Sequence, residues 1–190
     1  VMTYNASQGK PAYAAIINRL DRPVSGLVLI AKNKSAAAKY STLMQKEGGF
    51  NKQYEALICG KLSEPKGTFV DYLKKDGRTN TSAVVPSDAA TNDKEAKLSK
   101  LEYEVISYDE VKDITHVRIH LITGRHHQIR VQFASRRHPL VGDYKYATAD
   151  CGMDNAVKAV ALKRSQIALC AVSLTIENET FRVTPEFSIG

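Results

Sequence analysis

The chain reads as an α+β protein built around a large, mostly antiparallel β-sheet. Two observations predict that class: segments with strand character outnumber those with helical spacing, and the strand-like segments fall in neighbouring pairs suited to antiparallel pairing. With 190 residues and 43% hydrophobic content, the chain is long enough for one well-buried core and gives no reason to expect a second.

The elements follow in order. After Asp21 to Pro23, SGLVLIAK (25–32) is a short continuous apolar run bounded by turn residues, which predicts a strand buried on both faces. In NKSAAAKYSTLMQKEGG (33–49), Ala36, Tyr40, Leu43 and Met44 recur at helical spacing and Gly48 and Gly49 end the pattern, so a helix comes next. KQYEALICG (52–60) is a strand with Tyr54, Ala56 and Ile58 on one face and Glu55, Leu57 and Cys59 on the other. From about residue 64 to residue 100 the sequence is polar and rich in turn residues, as in KKDGRTNTS and PSDAATNDKEAK. Hairpin loops and a mobile excursion are expected there.

LEYEVISYD (101–109) and DITHVRIHLIT (113–123) make the best antiparallel pair. In the second, Val117, Ile119 and Leu121 alternate with His116, Arg118 and His120, giving a core face and a wet, basic one. Gly124 breaks this strand, and HHQIRVQFASRR (126–137) fits a short helix or a strand equally well. HPLVGDYKYA (138–147) reads as a loop. The C-terminal SQIALCAVSLTIENETFRVTPEF (165–187) forms two strands joined by a turn at ENET, 177–180.

No apolar run approaches the length of a bilayer span, and VMTYNASQGKPAYAAIINR lacks the basic-then-apolar layout of a secretory leader. Three widely spaced cysteines, Cys59, Cys151 and Cys170, are odd in number and two have apolar neighbours. They read as buried thiols of a soluble cytoplasmic chain, not as disulfide partners or metal ligands. Lysine and arginine number 27 against 20 acidic residues, a net charge of +7 that favours a polyanionic partner.

All five histidines lie between His116 and His138, which raises metal binding as one reading. No H-x-x-x-H helix or C-x-x-C pair accompanies them, so no metal is expected. A basic, histidine-rich face beside arginines is more simply a phosphate-facing surface, and Arg125 and His127 become candidate substrate contacts. Asp21, flanked by Arg19 and Arg22, reads on its own as an ordinary ion pair at a strand entrance. Tyr54 on its own is either a core tyrosine or a ring that stacks on a base.

The motifs together carry more information than each does alone. R-L-D-R-P-V-S-G-L (19–27), K-Q-Y-E-A-L-I-C-G (52–60), T-G-R-H-H-Q-I-R-V (123–131) with H-P-L-V-G-D-Y-K-Y (138–146), and A-L-C-A (168–171) occur in this order. In that combination the chain resembles the RluA-type pseudouridine synthases, from about Asn18 to Phe187. The resemblance implies a bent, mixed sheet with flanking helices and loops, and one catalytic domain over residues 1–190. That family usually carries an N-terminal strand with a Lys-Pro-x-x-Gly turn, for which little room precedes Asn18, and no S4-like RNA-binding domain is seen.

The resemblance also implies roles. Asp21 matches the essential carboxylate, Tyr54 the active-site aromatic, Arg130 the ion-pair partner of the aspartate, Leu169 a wall of the base pocket, and Arg19 an RNA contact around the extruded nucleotide. The chain departs from the family pattern at Asn18 and Cys170, where histidine is usual, and at Arg137, where glycine is common. The implied reaction breaks the N1–C1′ bond of a uridine in ribosomal or transfer RNA, turns the uracil and joins C5 to C1′, with no cofactor. A buried carboxylate stays ionised there only beside a cation, and guanidinium suits that role. The expected molecule is a monomer acting on RNA, and its rival is a non-catalytic RNA-binding protein of the same fold.

Overall fold

The computed structural model describes residues 6–9, 11–46, 48–147, 149, 151–160, 162 and 166–189. Among them the elements run β1 (Ala15–Ile16), β2 (Ser25–Gly26), β3 (Ile30–Ala31), α1 (Lys34–Gln45), β4 (Phe50–Cys59), β5 (Lys66–Asp76) and β6 (Thr81–Val85). They continue as α2 (Ser87–Ala90), β7 (Lys97–Asp109), β8 (Ile114–Leu121), α3 (Gln128–Ala134), α4 (Met153–Ala159), β9 (Leu169–Ile176) and β10 (Glu179–Arg182).

The main sheet has the strand order β10-β9-β4-β8-β7-β5-β6, with β2 added parallel to β9. Its other pairings are antiparallel, and register shifts in β4 and β7 bend it locally. The expected α+β architecture with a large, mostly antiparallel sheet is therefore the observed one.

Strand alternation sets the layers. Tyr54, Ala56 and Ile58 of β4 join Val117, Ile119 and Leu121 of β8 in one core, closed by Ile129 and Phe133 of α3. On the opposite face, Leu57 and Cys59 meet Cys170 and Val172 of β9 and Met153 and Ala156 of α4, a helix for which the sequence had suggested no element. Helix α1 starts where Asn33 caps the Ala36 amide at 2.8 Å, and it lays Ala36, Tyr40, Leu43 and Met44 against Phe50, Leu174 and Ile176.

Three expectations need correction. SGLVLIAK is not one strand buried on both faces: β2 pairs with β9, β3 pairs with β1, and Val28 and Ile30 are exposed. The apolar run bridges two sheets instead of lying inside one. The middle of the chain holds the hairpin turn expected in KKDGRTNTS, at 77–80, but in place of a mobile excursion it has the 11-residue β5 paired with the 5-residue β6. Its period is hidden because Asp71, between the inward Phe69 and Leu73, takes an inward position to bind Arg136 at 2.9 and 3.1 Å and Gln132 at 2.7 Å. The face of β8 expected to be basic and phosphate-facing is matched by carboxylates of the neighbouring strands instead of standing bare. His116 pairs with Glu55 at 3.1 Å, Arg118 with Glu55 at 3.3 Å and His120 with Glu102 at 3.3 Å, on the face away from α3. Helix or strand after Gly124 is decided as helix α3.

Candidate active site

A cleft of about 830 Å³ opens beside α3, and its wall contains Arg19, Asp21, Tyr54, Arg125, His127, Arg130 and Leu169. All seven residues singled out from the sequence thus meet at one place, although they come from four separate stretches of chain.

Local structure explains how each arrives. Asp21 starts a turn closed by the Val24 amide on its carbonyl at 2.9 Å, and the Pro23 carbonyl accepts the Ile167 amide at 3.1 Å, which ties the turn to the approach of β9. Gly26 makes this possible: its φ is +121°, and a Cβ would lie 2.4 Å from the Ala171 nitrogen. Asn18, where the family has histidine, is buried and spans the loop by donating to the Leu27 carbonyl and accepting the Leu29 amide. The loop before α3 is organised by Gln128, whose Oε1 accepts Thr123 Oγ1 and the Arg125 amide at 2.8 and 3.0 Å. Arg125 is then fixed on the rim by its Nε bond to the Leu98 carbonyl. Cys170 alternates away from Leu169 into the opposite core, so it does not line the cleft.

The electrostatic centre is Arg130. Its Nη1 reaches Asp21 Oδ2 at 3.2 Å, which joins the two residues the resemblance paired. The bidentate grip, however, is on Asp143, with Nε–Oδ2 2.7 Å and Nη2–Oδ1 2.8 Å, so Asp21 has only the remaining nitrogen. Arg130 and Asp143 are buried, whereas Asp21 keeps 29% of its side chain exposed in the cleft. The arginine is anchored by one carboxylate and offered to the other. Burial opposes the Arg130 charge, but Asp143 and then Asp21 outweigh it and raise its pKa.

Tyr54 stands on β4 facing the cleft, and burial together with the Asp21 charge pushes its phenol up to about 12. His127 adopts a left-handed backbone (φ +53°) ahead of α3 and approaches Asp21 Oδ2 with Nε2 at 3.7 Å. Burial pushes its pKa down to about 4, with Arg130, His126 and Lys145 acting in the same direction and Asp21 opposing. Lys52, a half-buried cation in the cleft wall, has its pKa lowered by burial.

Sequence reasoning assigned no role to Asp143, Tyr146, Lys52 or Ser82. The first two lay inside the quoted H-P-L-V-G-D-Y-K-Y stretch, and Lys52 inside K-Q-Y-E-A, but spacing could not tell which polar residue turns inward. Arg137, where the family has glycine, has φ +65°, a left-handed conformation that glycine adopts most easily. Among the described residues, no group of three or more His, Cys, Asp and Glu side chains is placed to hold a metal ion.

The family model described as RNA pseudouridylate synthase matches residues 1–135. The chain belongs to that family. The chain is 36% identical over 135 residues to "Ribosomal large subunit pseudouridine synthase D" of Blochmanniella floridana, which covers 70% of this chain and 38% of that relative. It thus spans well under half the length of the curated relative. Its structure resembles that of "Human RNA Pseudouridylate Synthase Domain Containing 1" with a TM-score of 0.74 at 26% identity, covering 92% of this chain and 69% of the human one. "Human RNA Pseudouridylate Synthase Domain Containing 4" shares the fold, with a TM-score of 0.75 at 19% identity over 96% of this chain and 75% of that one. Among the described residues, no helix is long and apolar enough to cross a membrane.

Proposed function

We propose that this chain is the catalytic part of an RNA pseudouridine synthase that isomerises a uridine in structured RNA through the carboxylate of Asp21. The observation that carries the reading is the convergence of Asp21, Tyr54, Arg130 and Leu169 on one cleft, with Asp21 held by an anchored guanidinium yet open to solvent. Ribosomal RNA is the favoured substrate class, because that is what the Blochmanniella relative's name specifies. Transfer RNA is the alternative. The three free cysteines fit a reducing cytoplasm.

The residues divide the work by their chemistry. The target uridine, inaccessible in a helix, is extruded into the cleft at a cost of a few kcal/mol, which stacking and phosphate contacts offset. Leu169 walls the base and Tyr54 stacks on it. Arg19 and Arg125 on the rim, with Lys52 inside, meet backbone phosphates. Asp21, hydrogen-bonded by Arg130, attacks C1′ or C6, or takes the 2′ proton in a glycal route. A phenol whose pKa is about 12 is protonated at neutral pH, so Tyr54 acts as a hydrogen-bond donor or a proton relay during loss of the C5 hydrogen, not as a ready base.

Tritium release from ribosomal RNA transcribed with C5-tritiated uridine tests the reading. Asp21→Asn is expected to abolish release while leaving RNA binding largely unchanged. Retained release by Asp21→Asn refutes it, and a non-catalytic RNA-binding protein would show no release from the wild type either.

A further inference from the structure

Asp21 Oδ2 lies between two cationic or hydrogen-bearing groups, and only one of them, Arg130, is accounted for by the reaction as described. The other is His127, whose Nε2 lies 3.7 Å from that oxygen. At the opposite edge of the same imidazole, Nδ1 is 2.7 Å from the Tyr146 hydroxyl. The Tyr146 oxygen in turn accepts the Ser82 amide at 2.9 Å, and a backbone N–H can only donate. With one acceptor site of the phenol filled by an N–H, its own proton is free to go to Nδ1, which makes Nδ1 an acceptor. The imidazole proton then sits on Nε2, towards the carboxylate. The opposite tautomer would aim a nitrogen lone pair at the carboxylate, placing two electron-rich atoms against each other.

The surroundings hold the ring in place. His126 stacks on His127 at 3.8 Å between centroids with a 25° tilt, and its Nδ1 is 2.9 Å from Ser82 Oγ. The Arg130 guanidinium lies 5.1 Å over the Tyr146 ring, so Tyr146 touches both groups that face Asp21. His127 keeps a left-handed backbone, which is unfavourable for a non-glycine residue and tolerated where surrounding structure over-determines the geometry. Burial, reinforced by the neighbouring Arg130, His126 and Lys145, keeps the imidazole neutral, against the pull of Asp21. A neutral donor orients a carboxylate without neutralising it.

We propose that His127 is a positioning residue for Asp21: Tyr146, set by the Ser82 amide, fixes the imidazole proton on Nε2, which together with Arg130 holds Oδ2 and leaves Oδ1 as the oxygen presented to the nucleotide. This rests on Asp21 being the reacting carboxylate. The 3.7 Å approach closes to a hydrogen bond when the substrate fills the cleft, as catalytic contacts tighten in the bound complex. Without His127, the carboxylate is held by one N–H only and turns more freely about its Cβ–Cγ bond. In metal sites, partners that orient a ligand from behind commonly change activity by about 10- to 100-fold, and an effect of the same size is expected for an oriented carboxylate.

The first test needs no substrate. Long-range 1H–15N correlation of the 15N-labelled wild-type chain at pH 7 is expected to show His127 with a protonated Nε2 and a bare Nδ1, and Tyr146→Phe is expected to give a mixture of tautomers. The second uses ribosomal RNA carrying C5-tritiated uridine. His127→Asn keeps a residue suited to the left-handed backbone but lacks the reach to Asp21, and is expected to lower kcat about 10- to 100-fold with KM within about twofold. His127→Gln, whose amide nitrogen extends to about the position of Nε2, is expected to recover much of that loss. An Nδ1-protonated or doubly protonated His127 at pH 7 overturns the proposal, as does an unchanged kcat in both His127→Asn and Tyr146→Phe. Release retained by Asp21→Asn is a separate failure, that of the catalytic reading, and the tautomer measurement stands apart from it.

Discussion

Asp21 and Asp143 share one guanidinium, and replacing each by asparagine is expected to harm the protein in opposite ways. Asp143 has 1% of its side chain exposed and takes two charge-assisted hydrogen bonds from Arg130 at 2.7 and 2.8 Å. Asp143→Asn removes the charge that compensates a buried guanidinium and turns one acceptor into an NH2 facing another donor. Breaking a buried pair from one side costs about 3–5 kcal/mol. At about 2–4 °C per kcal/mol for a chain of this size, Tm falls by roughly 6–20 °C. Asp21 keeps 29% of its side chain exposed and receives one hydrogen bond, at 3.2 Å, from an arginine that retains its better partner. Asp21→Asn is therefore expected to cost about 1 kcal/mol or less. Thermal and urea unfolding followed by circular dichroism, run beside tritium release, separates the two: Asp21→Asn is stable and inactive, Asp143→Asn is unstable. Equal losses of stability, or a larger loss for Asp21→Asn, would refute the assignment of Asp143 as the anchor of Arg130.

Other consequences are equally open to measurement. Gly26→Ala places a Cβ 2.4 Å from the Ala171 nitrogen at φ +121°, so it is expected to detach β2 from β9, cost about 3 kcal/mol in urea unfolding and take activity with it through the Asp21 turn. Arg137→Gly relieves a left-handed residue at φ +65°; about 1–2 kcal/mol of relief less the added backbone freedom of the unfolded chain leaves a gain of about 0.5–1 kcal/mol, read as a higher urea midpoint. His127 has a folded pKa of about 4 against 6.5 unfolded, so its contribution is fully present above pH 6.5 and is lost as pH falls towards 4. Between pH 7 and pH 5 this amounts to about 2 kcal/mol in the wild type at 1.36 kcal/mol per unit, and His127→Asn is expected to flatten that slope in urea unfolding.

Much of the site was legible because the groups that carry chemistry sit in short, dense stretches. Asp21, Tyr54, Arg130 and Leu169 stand in such stretches, and the cleft brings them together with Arg19, Arg125 and His127. Strands β4, β7 and β8 were legible where one face is apolar, since alternation then appears directly in the residues, and β9, buried on both faces, was legible as a nearly continuous apolar run. Strand β5 was not, because Asp71 occupies an inward position as the partner of Arg136 and Gln132, and a buried carboxylate looks like a loop residue until its cation is located. The helix α3 defeated periodicity for a related reason: its seven residues are buried almost all round, including Gln128, Arg130 and Gln132, so no polar face marks its period.

The sequence by itself determined the α+β class, the antiparallel pairing of β7 with β8, and seven of the residues that meet in the cleft. Pairings within the site were decided only by the tertiary structure. Arg130 was legible as a partner for Asp21, but its stronger bonds go to Asp143, because a guanidinium offers three nitrogens and the fold decides which carboxylate is buried deeply enough to take two of them. The histidines of β8 count towards a basic surface in composition, yet strand alternation and the glutamates of β4 and β7 place them on the face of the sheet away from α3. Composition and spacing register which groups a chain carries; which of them lose water, and against whom, depends on contacts between residues far apart in the chain.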